Sequence, residues 1–227
     1  MFKRQNLFFD VYMKFDENRE MLFFFKNILG KVPVPTESMS GDALSKRLVE
    51  LSIGKRVLEF GSGGSTLILA QKCSSLISVE SDFFYARKLK KLISEFADAK
   101  ILWANIGPTK SHGSPVRSLK KIFGNKWPKY ATRPWSEGAR NIDLVFVDGR
   151  FRVSSALQCF LNIHCSFILV FDDYFSRSEY HSVELFLGKP IERINDSALF
   201  EIPEHLARQE VSLVTFRELE KYMYDYR

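Results

Sequence analysis

The sequence has few cysteines and no long hydrophobic run. Its 227 residues include three cysteines, Cys73, Cys159 and Cys165, and no CxxC pair. The odd number argues against a disulfide framework, so we expect a reduced, cytoplasmic chain. The best apolar run, Phe167–Phe171, is far shorter than the roughly 18–20 residues that a membrane helix needs, and no membrane span is predicted.

Basic residues are in slight excess, and the excess is concentrated in one segment. The chain has 33 basic and 27 acidic residues, a net charge of +6. Residues 107–140 contain eight basic residues against one acid, Glu137, together with four prolines. The prolines indicate a long loop, and we therefore predict a basic, functional insertion there, on the substrate side of the domain, with an anionic partner. Its aromatic residues either stack on a sugar ring or anchor the segment; they are Trp127, Tyr130 and Trp135.

The order of the predicted elements indicates the fold class. The length and the 45% hydrophobic content fit one domain, 1–227, with an N-terminal helical cap over residues 1–50. Buried strands alternate with helices along the chain, which is typical of a parallel sheet covered on both faces. The predicted strands are 56–60, 76–80, 100–106, 142–148 and 166–172, followed by antiparallel edge pieces at 197–202 and 210–216. The predicted helices are 19–28, 42–51, 65–72, 82–96, 149–163 and 179–186. These elements predict an α/β fold, a doubly wound, Rossmann-like, mostly parallel sheet with an antiparallel edge.

A glycine-rich turn follows the first predicted strand. The run Gly61–Gly64 stands where a doubly wound fold binds its ligand. It lacks the third glycine of a dinucleotide loop, since Thr66 is there, and it lacks the lysine of a P-loop. Glu59 suits a cationic amine, and Glu80, 19 residues after the first glycine, suits a ribose diol. S-Adenosylmethionine has both groups and no phosphate. The plainer interpretation is a tight turn whose glycines only allow close packing.

These residues also carry a family resemblance. Val57–Thr66 with Val79–Asp82 resembles motifs I and II of class I S-adenosylmethionine-dependent methyltransferases. Asp143–Val153 and Phe171–Tyr174 look more specifically like a bacterial and viral branch related to small-molecule and sugar O-methyltransferases. The resemblance covers roughly residues 40–203.

The resemblance implies a set of cofactor-binding residues. Those implied for the methionine moiety are Glu59, Gly61, Ser62 and Gly63, with Ser65 in place of the usual third glycine. Glu80 is implied for the ribose. Ser81, Asp82 and Asn105 are implied for the adenine.

Three carboxylates are expected at the same edge of the sheet. Asp148 ends the fourth predicted strand, and Asp172 and Asp173 end the fifth. Oxygen ligands of this kind suit Mg²⁺ or a similar divalent cation. Several O-methyltransferases that this sequence resembles use such a trio to hold a cation that orients a hydroxyl group, whereas related members work without metal. Alternatively, one carboxylate is the general base, and Asp172 is a helix cap. His181 is the best imidazole candidate for catalysis, and Arg150 and Arg152 could pair with Asp148 or hold an anionic substrate.

Three functions remain open at this point. The leading hypothesis is an O-methyltransferase that acts on a sugar in a glycan or a nucleotide-linked precursor. The second is an RNA or DNA methyltransferase, disfavoured because the sequence has no Asn/Asp-Pro-Pro-Tyr/Phe stretch and no Pro-Cys pair. The third is a methyltransferase-like protein that binds without turnover.

Overall fold

A computed structural model describes residues 41–96, 98–208 and 221–222. The strands are β1 Arg56–Phe60, β2 Ser75–Glu80, β3 Ala99–Trp103, β4 Leu144–Val147, β5 Phe167–Phe171, β6 Glu192–Ile194 and β7 Ser197–Ile202. The α-helices are α1 Gly41–Ser52, α2 Gly64–Lys72, α3 Phe83–Leu92, α4 Lys120–Phe123, α5 Lys129–Ser136, α6 Arg152–Asn162, α7 Glu184–Leu187 and α8 Glu204–Ala207. Single 3₁₀ turns occur at Ser111–Gly113, Arg117–Leu119 and Gly124–Lys126, and a longer one at Ser178–Val183.

The strands form one mixed, seven-stranded sheet. Their order is β3-β2-β1-β4-β5-β7-β6, with β1 to β5 parallel and β6 and β7 antiparallel. The order reverses between β1 and β4, and the turns that follow these two strands meet there. This confirms the predicted doubly wound fold with an antiparallel edge. It also puts the glycine turn and Asp148 next to each other, as ligand sites of such sheets require.

Both faces of the sheet are buried. Along β1 and β4, alternate side chains enter two different apolar clusters: Leu58 and Val145 face one, whereas Val57 and Leu144 face the other. This is the period-2 pattern of a strand, and here it is apolar on both sides, as a covered parallel sheet requires.

The insertion at 107–140 is folded, in contrast to the irregular loop that the prolines suggested. It contains three 3₁₀ turns and the helices α4 and α5, and it covers one face of the sheet. Trp127 is 2% exposed and Tyr130 1%, and Trp135 packs against the same cluster. Of the two interpretations of these aromatics, anchoring is therefore correct, and Trp127 and Tyr130 offer no surface for a sugar ring.

Several predicted boundaries need correction. Helix α3 ends at Leu92, before Phe96, because Ile93 turns into the core. Strand β3 ends at Trp103, before Ile106. The helix predicted at 179–186 is a 3₁₀ segment followed by the short α7. The pieces at 19–28 and 210–216, and most of the 1–50 cap, lie outside the described residues.

Membrane-spanning segments were sought in the same part of the chain. No helix in the described ranges is long and apolar enough to cross a bilayer.

Candidate active site

Glu59 anchors the glycine turn from below. Its carboxylate is completely buried and accepts hydrogen bonds from Ser65 Oγ at 2.5 Å, Thr66 Oγ1 at 2.6 Å and Ser78 Oγ at 2.5 Å. Burial raises its pKa, and the three hydroxyl donors oppose that rise. The hydroxyl of Ser62 in turn lies 2.6 Å from that of Ser78. The Glu59 carboxylate, which was predicted to contact the methionine amine, therefore lies beneath the turn and already accepts hydrogen bonds from three hydroxyl groups.

Gly61 lets two turns approach each other at the switch point of the sheet. It has φ +99°, and a Cβ built on it would lie 2.5 Å from the Gly149 backbone nitrogen. Gly63 faces open space by comparison, since the atom nearest to such a Cβ is the Tyr85 hydroxyl at 3.9 Å. Gly61 therefore fixes the geometry of the pocket, whereas the Gly63 backbone is free for a ligand to approach.

Glu80 is at the end of β2, as the ribose-binding prediction requires. It is 7% exposed, and its Oε1 accepts hydrogen bonds from the Asp82 N–H at 2.7 Å and the Ser81 hydroxyl at 3.1 Å. Burial raises the pKa of Glu80 to about 7, and the nearby negative charge of Asp82 contributes to the rise. The hydrogen bond from the Asp82 backbone N–H acts in the other direction and lowers this pKa. Asp82 caps α3 by accepting from the Tyr85 N–H at 2.9 Å. The Ser81 carbonyl accepts from Trp103 Nε1 at 3.1 Å, on an indole that is 38% exposed.

A short hairpin from the insertion closes over Glu80. Thr109 and Pro115 form an antiparallel bridge, and His112 and Gly113 at the tip both have positive φ. The Ser81 hydroxyl donates to the Gly113 carbonyl at 2.8 Å, and Thr109 Oγ1 donates to Asp82 Oδ2 at 2.9 Å. This hairpin, residues 109–115, is thus the part of the insertion that contacts the predicted ribose and adenine residues.

Arg152 binds the three aspartates that follow β4 and β5. This 5% exposed arginine contacts Asp148 Oδ1 at 3.0 Å, Asp173 Oδ2 at 3.0 Å and the Asp172 carbonyl at 2.5 Å. Asp173, with φ +54°, also pairs with Arg177 at 2.8 Å. Asp172 Oδ1 accepts from Ser197 Oγ at 2.5 Å.

Asp148 is the most perturbed of these carboxyl groups. Burial raises its pKa well above the ordinary range, and Asp172 and Asp173 raise it further, whereas Arg152 opposes the rise. Its backbone N–H donates to the Phe60 carbonyl at 2.9 Å, directly before Gly61. A raised pKa makes a carboxylate a stronger proton acceptor, so Asp148, beside the glycine turn, is a candidate general base.

The predicted metal site does not fit this arrangement. Asp148 and Asp173 face the Arg152 guanidinium, and Asp172 faces a serine hydroxyl. Within the described ranges, no group of three or more His, Cys, Asp or Glu side chains is placed to hold a metal ion. A divalent cation would have to displace a buried guanidinium, so we assign it no role.

Arg150 lies between the hairpin and the aspartates. Its Nε donates to the His112 carbonyl at 3.1 Å, and its backbone N–H donates to the Tyr130 hydroxyl. Burial lowers the pKa of Arg150, as does the nearby charge of Arg152. Within the described residues Asp148 pairs with Arg152, and no such contact joins it to Arg150, so the predicted role of Arg150 toward an anionic substrate remains a prediction.

Two predicted site residues are placed differently. The His181 ring stacks on Tyr174 with centroids 4.7 Å apart, and its buried Nε2 has no hydrogen-bond partner among the described residues. No hydrogen bond in the same ranges joins it to the aspartates. Asn105 accepts from the Gly107 N–H at 3.2 Å on the exposed side of its turn. Their predicted roles in catalysis and adenine binding remain predictions.

Sequence reasoning missed two contributors. The hairpin contacts join residues about 30 positions apart, and the only local signal was the turn-forming His112-Gly113 pair. Arg177 pairs with Asp173 four residues earlier, a spacing that could have been noticed.

Comparisons with known proteins agree with this geometry. A methyltransferase-like protein from Silicibacter pomeroyi DSS-3, spo2022, is 34% identical, with a TM-score of 0.74, over 83% of this chain and 97% of that one. The N-methyltransferase NodS from Bradyrhizobium japonicum WM9, in complex with S-adenosyl-L-homocysteine, is 12% identical with a TM-score of 0.50, over 83% and 100%. Cofactor-bound Rv0187 from MTB is 16% identical with a TM-score of 0.51, over 88% and 95%. The last two share the fold. No protein-family model and no curated protein matches the sequence.

The chain belongs to the class I S-adenosylmethionine-dependent methyltransferases. The identity to spo2022 over nearly the whole of that protein establishes the family, and the glycine turn and Glu80 are where such an enzyme requires them. It is therefore an enzyme that uses S-adenosylmethionine.

Proposed function

We propose that this enzyme methylates a hydroxyl group of a sugar, in a glycan or a nucleotide-linked precursor. The sugar class comes from the resemblance of Asp143–Val153 and Phe171–Tyr174 to sugar and small-molecule O-methyltransferases. The observation that supports a hydroxyl acceptor is the partly buried carboxyl group of Asp148 beside the Gly61 turn. An alcohol is a weak nucleophile at neutral pH, and it needs a proton acceptor within reach.

Each residue of the pocket has a separate role in the reaction. When bound, S-adenosylmethionine supplies an electrophilic methyl group, which the acceptor oxygen attacks in line as the bond from carbon to sulfur breaks. Glu80 accepts hydrogen bonds from the ribose hydroxyls, and the Gly63 backbone allows close approach of the methionine moiety. Asp148 takes the hydroxyl proton, and Arg152 holds Asp148 in position. Positioning of this kind supplies much of the rate enhancement of bimolecular transfers.

Proton transfer to Asp148 does not conflict with its ion pair. Arg152 donates to Oδ1 of that carboxylate, and the same guanidinium also donates to the Asp148 and Gly149 carbonyls. A buried donor with several acceptors fixes the orientation of the carboxylate without removing its remaining lone pairs.

The test begins with calorimetric titration of S-adenosylhomocysteine, followed by an acceptor screen. The screen contains neutral sugars, uronates, sugar phosphates, nucleotide-linked sugars and a structured RNA, each with and without Mg²⁺. Product is followed by release of S-adenosylhomocysteine and by mass spectrometry of the acceptor. Methylation of a sugar hydroxyl is expected. Methylation of the RNA in preference to every sugar, or transfer only to a nitrogen atom, would overturn the proposal.

A further inference from the structure

We propose that Arg150 forms an anion-binding subsite, which takes a carboxylate or phosphate group of the acceptor. It would hold the acceptor with its hydroxyl group near Asp148, two residues earlier in the chain. The inference rests on the proposed function for the acceptor hydroxyl, whereas anion binding itself can be measured without turnover.

The Arg150 side chain has donors that no other residue uses. Its Nε donates to His112, and this is the one hydrogen bond of that side chain within the described part of the molecule. A guanidinium group has five N–H donors. The terminal nitrogens of Arg150 are not among the buried atoms that lack a partner, so solvent reaches them. A half-buried guanidinium with accessible, unpaired terminal nitrogens is suited to bind an anion from solution.

The orientation of this guanidinium is fixed before a ligand arrives. The His112 carbonyl holds Nε from the hairpin side, and the Tyr130 hydroxyl holds the Arg150 backbone N–H from the core side. Tyr130 is itself 1% exposed and packs between Phe60 and Phe151 at centroid distances of 6.0 and 5.5 Å. An arginine held in this way loses little conformational entropy when its fork binds a carboxylate or phosphate through two parallel hydrogen bonds.

The neighbouring arginines have acidic partners, whereas no described acidic residue pairs with Arg150. Arg152 pairs with Asp148 and Asp173, and Arg177 pairs with Asp173. Both of these guanidinium groups also lie near the Tyr180 ring, at 5.9 and 5.6 Å from its centroid. Arg150 feels the positive charge of both, and a bound anion would supply the missing counter-charge.

The subsite is adjacent to the methyl-transfer centre. Gly149, the residue before Arg150, lies against the Gly61 turn, and Asp148 precedes Gly149. Because Arg150 follows Asp148 and Gly149 in the chain, we expect an acceptor that binds Arg150 through its acidic group to lie near Asp148 and the glycine turn. This selects acidic sugars over neutral ones.

The experiment uses the full chain saturated with S-adenosylhomocysteine, titrated calorimetrically at low ionic strength with inorganic phosphate and, separately, with acetate. The variants are Arg150→Gln and Arg150→Lys, with Arg87→Gln as the control, since it removes an exposed charge on α3. We expect the wild type to bind at least one of the anions, and Arg150→Gln to bind it about tenfold or more weakly, the size of a lost charge-assisted pair. Arg150→Lys should be intermediate, because it keeps the charge and loses the fork. Arg87→Gln should match the wild type.

The outcomes separate the subsite from the proposed function. Phosphate binding that depends on Arg150 supports a phosphorylated or nucleotide-linked acceptor, and acetate binding that depends on it supports a uronate. Failure of the wild type to bind either anion, or equal binding by Arg150→Gln with unchanged thermal stability, overturns the subsite. An enzyme that binds anions through Arg150 but methylates no sugar would contradict the proposed function and leave the subsite standing.

Discussion

At the scale of single residues, Asp148 is the group on which the proposed chemistry depends. Asp148→Asn keeps the shape of the side chain and its contact with Arg152, but it cannot accept the proton. We expect S-adenosylhomocysteine affinity to stay within about twofold and turnover to fall by about 10²–10⁴-fold, the usual contribution of a positioned base. Single-turnover kinetics and calorimetry measure the two quantities. Asp98→Asn, on the exposed surface, is the matched control, and retained turnover in Asp148→Asn would exclude this base.

For Glu80, the prediction concerns cofactor binding, whereas that for Asp148 concerns turnover. Glu80→Gln removes the charge that we propose accepts hydrogen bonds from the ribose hydroxyls, and hydrogen bonds to a charged group contribute about 1.5–3 kcal/mol. S-Adenosylhomocysteine affinity should therefore fall by about 10- to 100-fold at pH 8, where the native carboxyl group is ionised. Adenine alone, which lacks the ribose, should bind both proteins equally. Equal affinity of both proteins for the whole cofactor would remove Glu80 from the ribose site.

At the scale of elements, the backbones of the turns after β1 and β4 approach each other closely at Gly61. Gly61→Ala would place a Cβ 2.5 Å from the Gly149 nitrogen, at a φ of +99° that alanine avoids. We expect a loss of more than about 3 kcal/mol in the free energy of unfolding, since strain and overpacking each cost 1–3 kcal/mol. Cofactor binding should be lost with it.

Gly54→Ala is the control for this substitution. Gly54 also has positive φ, +66°, but a Cβ there meets nothing within 4 Å. Its cost should be close to the backbone preference alone, about 1 kcal/mol. Chemical denaturation of both variants gives the comparison, and equal losses would show that the close approach of the two turns is unimportant.

Elements with a clear hydrophobic pattern could be predicted from the sequence, and short or non-local ones could not. Strands β4 and β5 are continuous apolar runs and β1 and β2 are largely apolar, and the structure confirms all four. Strand β6 was missed because three residues are too few to show alternation. The insertion was misjudged because its prolines suggested a loop, whereas Pro134 lies within α5 and is buried.

The same distinction applies to the site. The glycine turn and Glu80 follow from their positions after predicted strands, and the structure places them together. The pairing of Arg152 with Asp148, four residues earlier, was one of the predicted alternatives. The three hydroxyl groups on Glu59, and the contact of Arg152 with Asp173, depend on side-chain orientations that no local pattern encodes.

At the scale of the whole molecule, the raised pKa of Glu80 makes stability depend on pH. Its pKa rises from 4.5 to about 7 on folding, so the folded state binds more protons than the unfolded state between these values. Stability from this group is present below about pH 4.5 and is lost as the pH rises to about 7. Over this pH range the free energy of unfolding falls by up to about 3 kcal/mol.

Glu80→Gln should remove this dependence. Without cofactor, the variant should unfold at a higher temperature than the wild type at pH 8, and the gap should shrink as the pH falls toward 5. Differential scanning calorimetry across that range measures it. Glu201→Gln, on an exposed strand position, should show no such trend, and a gap that grows on acidification would contradict the assigned pKa direction.

The hydrogen bond from Trp103 to the Ser81 carbonyl has an optical consequence. The chain has three tryptophans; Trp127 is 2% exposed within the core, and Trp103 is 38% exposed next to Glu80. Indole emission shifts with the polarity around the ring, so a ligand that reaches Ser81 should alter the red edge of the spectrum and leave the blue, buried component unchanged. The enzyme thus contains its own fluorescent reporter of cofactor arrival, which stopped-flow instruments can follow without any attached dye.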